Sequence, residues 1–347
     1  PPLPLSLCYN KSKPATMARI QTAVILAAIL AVGQSAKLWS HRIRLSPPDE
    51  SNRRLKTSDG QANPYSGFGM HFLQMYLGNP AQMRTLAVST AGAFTALPCE
   101  DCVDCGPRGK NLFNFTGSKG FTVSPCSDCS QGSPCFNDRC AVGASTRDSS
   151  TWSGYEVSDY VFHGGGGDQM NSIVGTDAAE MFGFPLRFVC QTRTRGFFNN
   201  VMDGVLGLSP SPTSFLSQMH AAGKLEHPRF SLCFNDVEYS NREAGTGVVT
   251  FGGFKQSFVE TEMVYAKKLE GDVYKVNIKK IHLRVGGGRS VRSDAQEKLF
   301  VVDPPVDADS SAVVDSSTPF LTFDKRFEEP FRAAWREATG QEFTHAR

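Results

Sequence analysis

The sequence lacks three features: a strong charge imbalance, a long apolar run and a phosphate-binding glycine motif. With 36 basic and 34 acidic residues its net charge is +2, which argues against nucleic acid as its partner. The apolar run 23–32 is too short to span a bilayer comfortably. The glycine runs 164–167 and 286–288 are not followed by Lys-Ser/Thr and a helix, so they predict flexible hairpin tips. An apolar content of 40% is nevertheless typical of a globular chain.

The beginning of the sequence has the pattern of a secretory leader. Met17 and a basic residue precede the apolar run, and small residues follow it at 33–36. This order predicts a signal peptide over 17–36, with a membrane anchor as the alternative. Residues 1–16 precede the candidate initiator Met17 and are expected to be upstream, untranslated sequence. We therefore expect the protein to be secreted or to reside in the secretory pathway or vacuole.

The rest of the chain predicts a mostly β protein. Residues 37–64 are basic and poor in large apolar side chains, which predicts a propeptide or an exposed arm. Beyond Tyr65, short runs rich in β-branched and aromatic residues alternate with turn-forming residues and predict strands. These strands are 70–77, 83–88, 157–162, 186–191, 248–251, 273–285, 299–302 and 312–314. Capping and stop signals predict helices over 214–222 and 330–339.

Cysteines are concentrated in one segment of the chain, 99–140. A secreted chain would pair them, and the zinc-like Cys-x-x-Cys spacings offer a metal site as the alternative. The secretory leader favours disulfides, with no metal and no other cofactor. Eight cysteines are candidates for four disulfides: Cys99, Cys102, Cys105, Cys126, Cys129, Cys135, Cys140 and Cys190.

Six short motifs follow one another between residue 76 and residue 318. They are YLGNPAQ (76–82), LAVSTAG (86–92), DGVLGL (203–208), FSLCF (230–234), GVVTFGG (247–253) and AVVDSST (312–318). Their sequence and order resemble those of the pepsin-like aspartic peptidases. One such motif would be weak, whereas six in order are specific. The cysteine-rich insert and the segment SSTWSGY (149–155) resemble the secreted branch of diatoms, oomycetes and algae.

The resemblance implies a bilobal, pepsin-like acid-protease fold of two β-barrel-like lobes. The N-terminal lobe is expected over 65–235, with the cysteine-rich insert, and the C-terminal lobe over 236–347. A peptide or protein substrate or ligand is expected in the cleft between the lobes of a monomer, and membrane attachment is left open. The second lobe is expected to be incomplete, because nothing after Thr318 resembles the family's last segment and the family's partner for Cys233 is absent.

The family's mechanism requires two aspartates that share one proton, activate a water molecule and polarise the scissile carbonyl. By resemblance Asp315 is the second aspartate, but Ser89 stands in the place of the first. Ala91 and Ser317 replace loop glycines and add side chains where the backbones should approach closely. Serine stays protonated at acidic and neutral pH, so it cannot serve as the base. The family's flap corresponds to Thr146, in place of its tyrosine, and Trp152, and its loop-supporting positions are Thr90, Ala91, Ser316, Ser317, Thr318 and Gly207.

Three functions remain open at this point. The first is a catalytically impaired member of the family that still binds peptide or protein, since proteins of this kind that inhibit other enzymes are known. The second is a working aspartic-type endopeptidase, and the third is a non-functional gene fragment. A nucleophilic Ser89 is disfavoured because no histidine has a motif that places it beside this serine. Asn114 begins an Asn-x-Thr sequon and is a predicted glycosylation site.

Overall fold

The structure is a computed structural model. It describes residues 6–10, 39–45, 71–105, 111–145, 150–162, 183–196, 203–235, 247–254, 256, 259, 262–285, 298–304, 310–318 and 321–343. Strands dominate these ranges, so the prediction of a mostly β chain is confirmed.

The strands are, in chain order, β1 (Ser6–Asn10), β2 (Trp39–Leu45), β3 (His71–Leu77), β4 (Gln82–Ser89), β5 (Ala96–Pro98), β6 (Thr122–Val123), β7 (Cys135–Phe136), β8 (Arg139–Ser145), β9 (Thr151–Phe162), β10 (Gly183–Arg195), β11 (Gly204–Gly207), β12 (Phe230–Asn235), β13 (Gly247–Phe251), β14 (Lys275–Asn277), β15 (Ile281–Val285), β16 (Lys298–Val302) and β17 (Ser311–Val313). The helices are α1 (Phe215–Ala221) and α2 (Glu328–Thr339), and 3₁₀ turns occur at Cys126–Asp128 and Lys325–Phe327.

One large mixed sheet contains most of these strands. Its order is β1-β12-β13-β2-β3-β4-β11-β5-β10-β9-β8-β7, with β6 against β9 and a further pairing of β3 with β9. Two separate antiparallel pairs, β14–β17 and β15–β16, account for the remaining described strands. The loop that carries Asp315 therefore follows a strand of a small sheet, whereas Ser89 ends a strand in the middle of the large one.

The strand pair β4–β11 positions Ser89. β11 runs parallel to β4, in a register that pairs Gly204 with Leu86 and Gly207 with Ser89. The Asp203 carboxylate accepts a hydrogen bond of 2.9 Å from the Thr85 backbone N–H and fixes the start of β11 on its neighbour. A parallel pair requires a long crossover, which explains how motifs more than 100 residues apart come to lie side by side.

The core of the large sheet is closed by α1. Ser214 caps this helix by accepting a hydrogen bond from the Ser217 backbone N–H, and Phe215, Leu216 and Met219 are buried. The Phe215 ring lies 5.4 Å from the ring of Phe184 on β10 and 5.4 Å from that of Phe251 on β13. The helix predicted over 214–222 is thus confirmed, and its apolar face joins two distant parts of the sheet.

Two predicted elements differ from the structure. The single strand expected over 273–285 is two strands, β14 and β15, because the chain changes partner from β17 to β16 between them. The Ile278 N–H, which lies in this break, donates to the Ser310 carbonyl. The second helix begins at Glu328 rather than at Pro330, directly after the 3₁₀ turn, and ends as predicted at Gly340 with φ of 70°.

Some predicted segments fall outside the described residues, and others contain strands that the sequence did not predict. The predicted signal peptide over 17–36 and both glycine runs lie outside the described residues. β1 falls within the range 1–16 and pairs in parallel with β12, while β2 falls within 37–64 and lies between β13 and β3. None of the helices in the described part of the chain is long and apolar enough to cross a bilayer.

Candidate functional site

Two loops, 88–92 after β4 and 314–318 after β17, are joined by a reciprocal set of hydrogen bonds. Thr90 Oγ1 donates to the Val314 carbonyl at 2.6 Å and accepts from the Ser316 N–H at 3.0 Å. Ser316 Oγ donates in turn to the Val88 carbonyl at 2.6 Å and accepts from the Thr90 N–H at 3.2 Å. Each hydroxyl therefore both donates and accepts, and Thr90 is only 1% exposed. We call this set of four hydrogen bonds the Thr90–Ser316 crossing.

Asp315 lies beside this crossing and is oriented by three donors of its own loop. Its Oδ1 accepts from the Ser317 N–H at 2.9 Å and from Ser317 Oγ at 2.6 Å. Its Oδ2 accepts from Thr318 Oγ1 at 2.7 Å. These three hydrogen bonds fix the orientation of the Asp315 carboxyl group within its own loop.

Ser89 occupies the matching position of the first loop and is 4% exposed. Its Oγ accepts from the Gly92 N–H at 3.0 Å and lies 3.1 Å from Ser317 Oγ. A hydroxyl has one proton, and that of Ser317 is directed to Asp315, so Ser89 is the donor in the pair of serines. The result is a chain of hydrogen bonds from Gly92 through Ser89 and Ser317 to Asp315.

The end of the DGVLGL motif (203–208), which includes the predicted loop-supporting residue Gly207, packs against the first loop. The Leu208 N–H donates to the Ser89 carbonyl at 2.8 Å, and the Ser209 N–H donates to the Gly92 carbonyl at 3.0 Å. A Cβ at Gly207 would overlap the Phe94 carbonyl oxygen and lie 2.7 Å from the Gly92 carbonyl oxygen. Only glycine fits at position 207. Ala91, whose side chain was expected to crowd the close approach of the loop backbones, is half-buried and is accommodated in the first loop.

Of the two positions that the resemblance assigns to the flap, Trp152 lies within the described residues. Trp152 lies on β9, half-buried, opposite Ala144 of β8 and Thr194 of β10. Thr146 lies outside the described residues. Close approach of β9 and β10 depends on Gly154, where a Cβ would overlap the Cys190 carbonyl oxygen.

The eight candidate cysteines form four disulfides, as the sequence predicts. The pairs are Cys99–Cys190, Cys102–Cys105, Cys126–Cys135 and Cys129–Cys140. The first pair is buried and joins the end of β5 to β10, while the other three lie within the insert. The zinc alternative fails because the sulfur atoms are bonded to one another. The described residues contain no cluster of three or more His, Cys, Asp or Glu suited to a metal.

Asn114 is exposed at the surface of the insert. Its Oδ1 accepts from the Gly117 N–H at 2.9 Å, and its backbone N–H donates to Gln82 Oε1. The sequon is therefore at an accessible turn, and its glycosylation remains a prediction.

Some site features were missed in the sequence. The carbonyls of Val88 and Val314 and the N–H of Gly92 have no side-chain signature, so no residue type could reveal them. The contact between Ser89 and Ser317 joins residues 228 positions apart. The sequence carries a signal for this contact, since each loop departs from the family pattern by gaining a serine hydroxyl.

A mostly β chain in which Thr90 and Ser316 tie two loops around Asp315 has the construction of the pepsin-like aspartic peptidases, and the chain belongs to that family. The family model described as "Xylanase inhibitor N-terminal" matches residues 71–253, just over half of the chain. The aspartic proteinase nepenthesin-1 of Nepenthes gracilis is 24% identical over 200 residues. This match covers 54% of the present chain and 41% of nepenthesin-1, so the chain spans about two fifths of that relative.

Proposed function

We propose that this protein is a secreted, pepsin-like protein with an impaired catalytic site, whose cleft binds a peptide or a protein. The observation that carries the proposal is the hydroxyl pair at the site. Where two carboxylates would share a proton, Ser89 Oγ lies 3.1 Å from Ser317 Oγ, and Asp315 supplies the carboxylate.

The chemistry of this pair explains the expected loss of activity. A carboxylate dyad takes a proton from water and returns it to the leaving group, and general acid–base catalysis of this kind contributes roughly 10² to 10⁴ in rate. Ser89 cannot take that proton because its hydroxyl is already protonated. Nor is Ser89 a good nucleophile, since its proton is passed through Ser317 towards a carboxylate, which is a weak base for a hydroxyl.

The retained framework supports a binding role. The Thr90–Ser316 crossing involves neither Ser89 nor the Asp315 carboxylate, so the geometry of the two loops survives the loss of one acid. The description of the matching family model names an inhibitor of another enzyme, which is consistent with a fold used for binding. Fold alone does not define function, and the site is the basis of the proposal.

The disulfides support a secretory location. Four disulfides are typical of an oxidising compartment, and the leader predicted over 17–36 would direct the chain there. We further propose that Asn114 is glycosylated on that route.

A second candidate function is a working aspartic-type endopeptidase. Asp315 keeps three hydrogen-bond donors and the Thr90–Ser316 crossing is intact, which favours a site that could still hold a peptide productively. The name of nepenthesin-1 states such an activity for that relative.

The test compares the natural protein, expressed from its complete coding sequence, with its Asp315→Asn variant. Cleavage of an unfolded protein is measured at mildly acidic pH with and without pepstatin, a peptide inhibitor of aspartic peptidases. The proposal predicts no pepstatin-sensitive cleavage by the natural protein. A thermal shift with pepstatin or with a peptide ligand would support a cleft that still binds. Pepstatin-sensitive cleavage that Asp315→Asn abolishes would instead establish the endopeptidase.

A further inference from the structure

We propose that Ser317 is a second block in the site, so that restoring the first aspartate alone does not restore a dyad. This inference rests on the proposed function, because it concerns why the site is impaired. Ser317 is a positioning residue in this proposal. Its hydroxyl stands between the position of the first acid and the carboxylate of Asp315 and engages both.

The hydrogen-bond donors around Asp315 show how Ser317 separates the two catalytic positions. Ser317 Oγ donates at 2.6 Å to Asp315 Oδ1, and its oxygen faces Ser89 Oγ at 3.1 Å. The Ser317 N–H donates to the same Asp315 oxygen at 2.9 Å. Both of these hydrogen bonds to Asp315 Oδ1 therefore come from a single residue, whose hydroxyl oxygen also lies within hydrogen-bond distance of Ser89 Oγ.

A Ser89→Asp substitution would place a carboxylate next to the Ser317 hydroxyl. The carboxylate is larger than the hydroxyl it replaces, in a place that is 4% exposed. It would approach an oxygen whose proton is already committed to Asp315. Two carboxylates so close must share a proton to coexist. With Ser317 between them, the proton would be shared with the serine hydroxyl instead, and water would not be held by both acids.

Removing the Ser317 side chain removes the hydroxyl between positions 89 and 315 but keeps the other hydrogen bonds that support the loop. Ser317→Gly deletes the hydroxyl, whereas the backbone N–H of residue 317 still donates to Asp315 Oδ1. Thr318 still donates to Oδ2, and the Thr90–Ser316 crossing is untouched. The two substitutions are therefore expected to be strongly coupled, because they act on one hydrogen-bond chain.

The experiment uses four forms of the complete protein: natural, Ser89→Asp, Ser317→Gly and the double variant. Each is measured for kcat/KM on a fluorogenic peptide across acidic pH, and for thermal unfolding with and without pepstatin. We expect neither Ser89→Asp nor Ser317→Gly alone to produce a large gain in pepstatin-sensitive kcat/KM. The double variant should exceed Ser89→Asp by about 100-fold or more, within the range of acid–base catalysis. It alone should show a bell-shaped pH profile.

The outcomes are separable. A Ser89→Asp variant as active as the double variant would overturn the role of Ser317, as would a folded double variant with no gain in activity. Replacing Ser317 by alanine in the Ser89→Asp background tests the hydroxyl itself, and we expect a gain there as well, because the donor is removed. No gain with alanine would overturn the hydroxyl as the blocking group. Pepstatin-sensitive, Asp315-dependent cleavage by the natural protein would refute the proposed function, while the ratio of double to single variant would still decide the role of Ser317.

Discussion

The loops at Ser89 and Asp315 rest on very different supports. The first ends β4, which is flanked by β3 and β11 in the large sheet. The next strand, β5, also pairs with β11 and leads directly to the buried Cys99–Cys190 disulfide. The second follows β17, whose described partner is β14 in a two-stranded sheet. The carboxylate nevertheless lies on the second loop. The difference teaches that Asp315 does not need the large sheet to support its loop. The Thr90–Ser316 crossing holds that loop against the better-supported loop that carries Ser89.

The largest expected effect tests the support of the first loop. Closing the Cys99–Cys190 disulfide constrains a separation of 91 residues in the unfolded chain, whereas Cys102–Cys105 constrains 3. In the chain-entropy account, replacing Cys99 and Cys190 by alanine should lower the free energy of unfolding by about 4 to 5 kcal/mol, and replacing Cys102 and Cys105 by about 2 kcal/mol. Denaturant unfolding of the two double variants measures the difference. Equal losses would show that strain or residual structure, rather than loop length, determines the stabilisation.

An intermediate effect tests the crossing that both loops share. Thr90→Val keeps the shape of the side chain but strands the Val314 carbonyl and the Ser316 N–H. Since unsatisfied buried groups are costly, we expect the free energy of unfolding to fall by about 2 to 3 kcal/mol. Hydrogen exchange should show loss of protection at 314–318 before the large sheet is affected.

The matched control for this variant is Thr122→Val on β6, where the side chain is exposed. It should change the stability by less than about 0.5 kcal/mol. If Thr90→Val behaved like Thr122→Val, the crossing would contribute little, and the second loop would have to be held by β17 alone.

The smallest expected effect concerns Asp159, a buried carboxyl group of the large sheet that lies outside the site of Asp315. Asp159 on β9 is 2% exposed, and its Oδ2 has no hydrogen-bond partner among the described residues. Burial raises the pKa of Asp159, although hydrogen bonds from Ser118 and the Tyr160 N–H oppose this. The folded state therefore holds this proton more tightly than the unfolded state.

The sign of the pH dependence follows from this difference in proton binding. The contribution of Asp159 to stability should fall as the pH rises from the ordinary aspartate pKa of about 3.9 through the raised pKa of the folded state. Asp159→Asn should flatten that part of the stability curve, which denaturant unfolding at a series of pH values would measure. An unchanged slope would show that Asp159 is ionised at little cost in the fold.

Much of the fold was accessible from the sequence because its signals are local. Runs rich in β-branched and aromatic residues, bounded by turn-forming residues, predict β3 and β4, and capping and stop signals predict α1. The pairing of the cysteines was inaccessible, since eight candidates allow many connectivities and only the folded chain selects one. The partner change between β14 and β15 was inaccessible for the same reason. It depends on strands that arrive from elsewhere in the chain.

The features of the site likewise fall into those that the sequence predicts and those that only the fold reveals. The identities of Ser89 and Asp315 follow from motifs that are continuous in sequence. The bond between Ser89 and Ser317 does not, because it needs two loops 228 residues apart to be placed within 3.1 Å. Sequence patterns therefore identified which groups had changed, while only the three-dimensional arrangement showed that the changes meet.

In the Thr90–Ser316 crossing, each loop contributes one hydroxyl that both donates and accepts a hydrogen bond. Its parts are hydroxyls and backbone groups, and none of them is an acid. The residues at positions 89 and 315 can therefore change while the crossing stays in place. The arrangement of the two loops is thus independent of which side chains perform chemistry at those two positions.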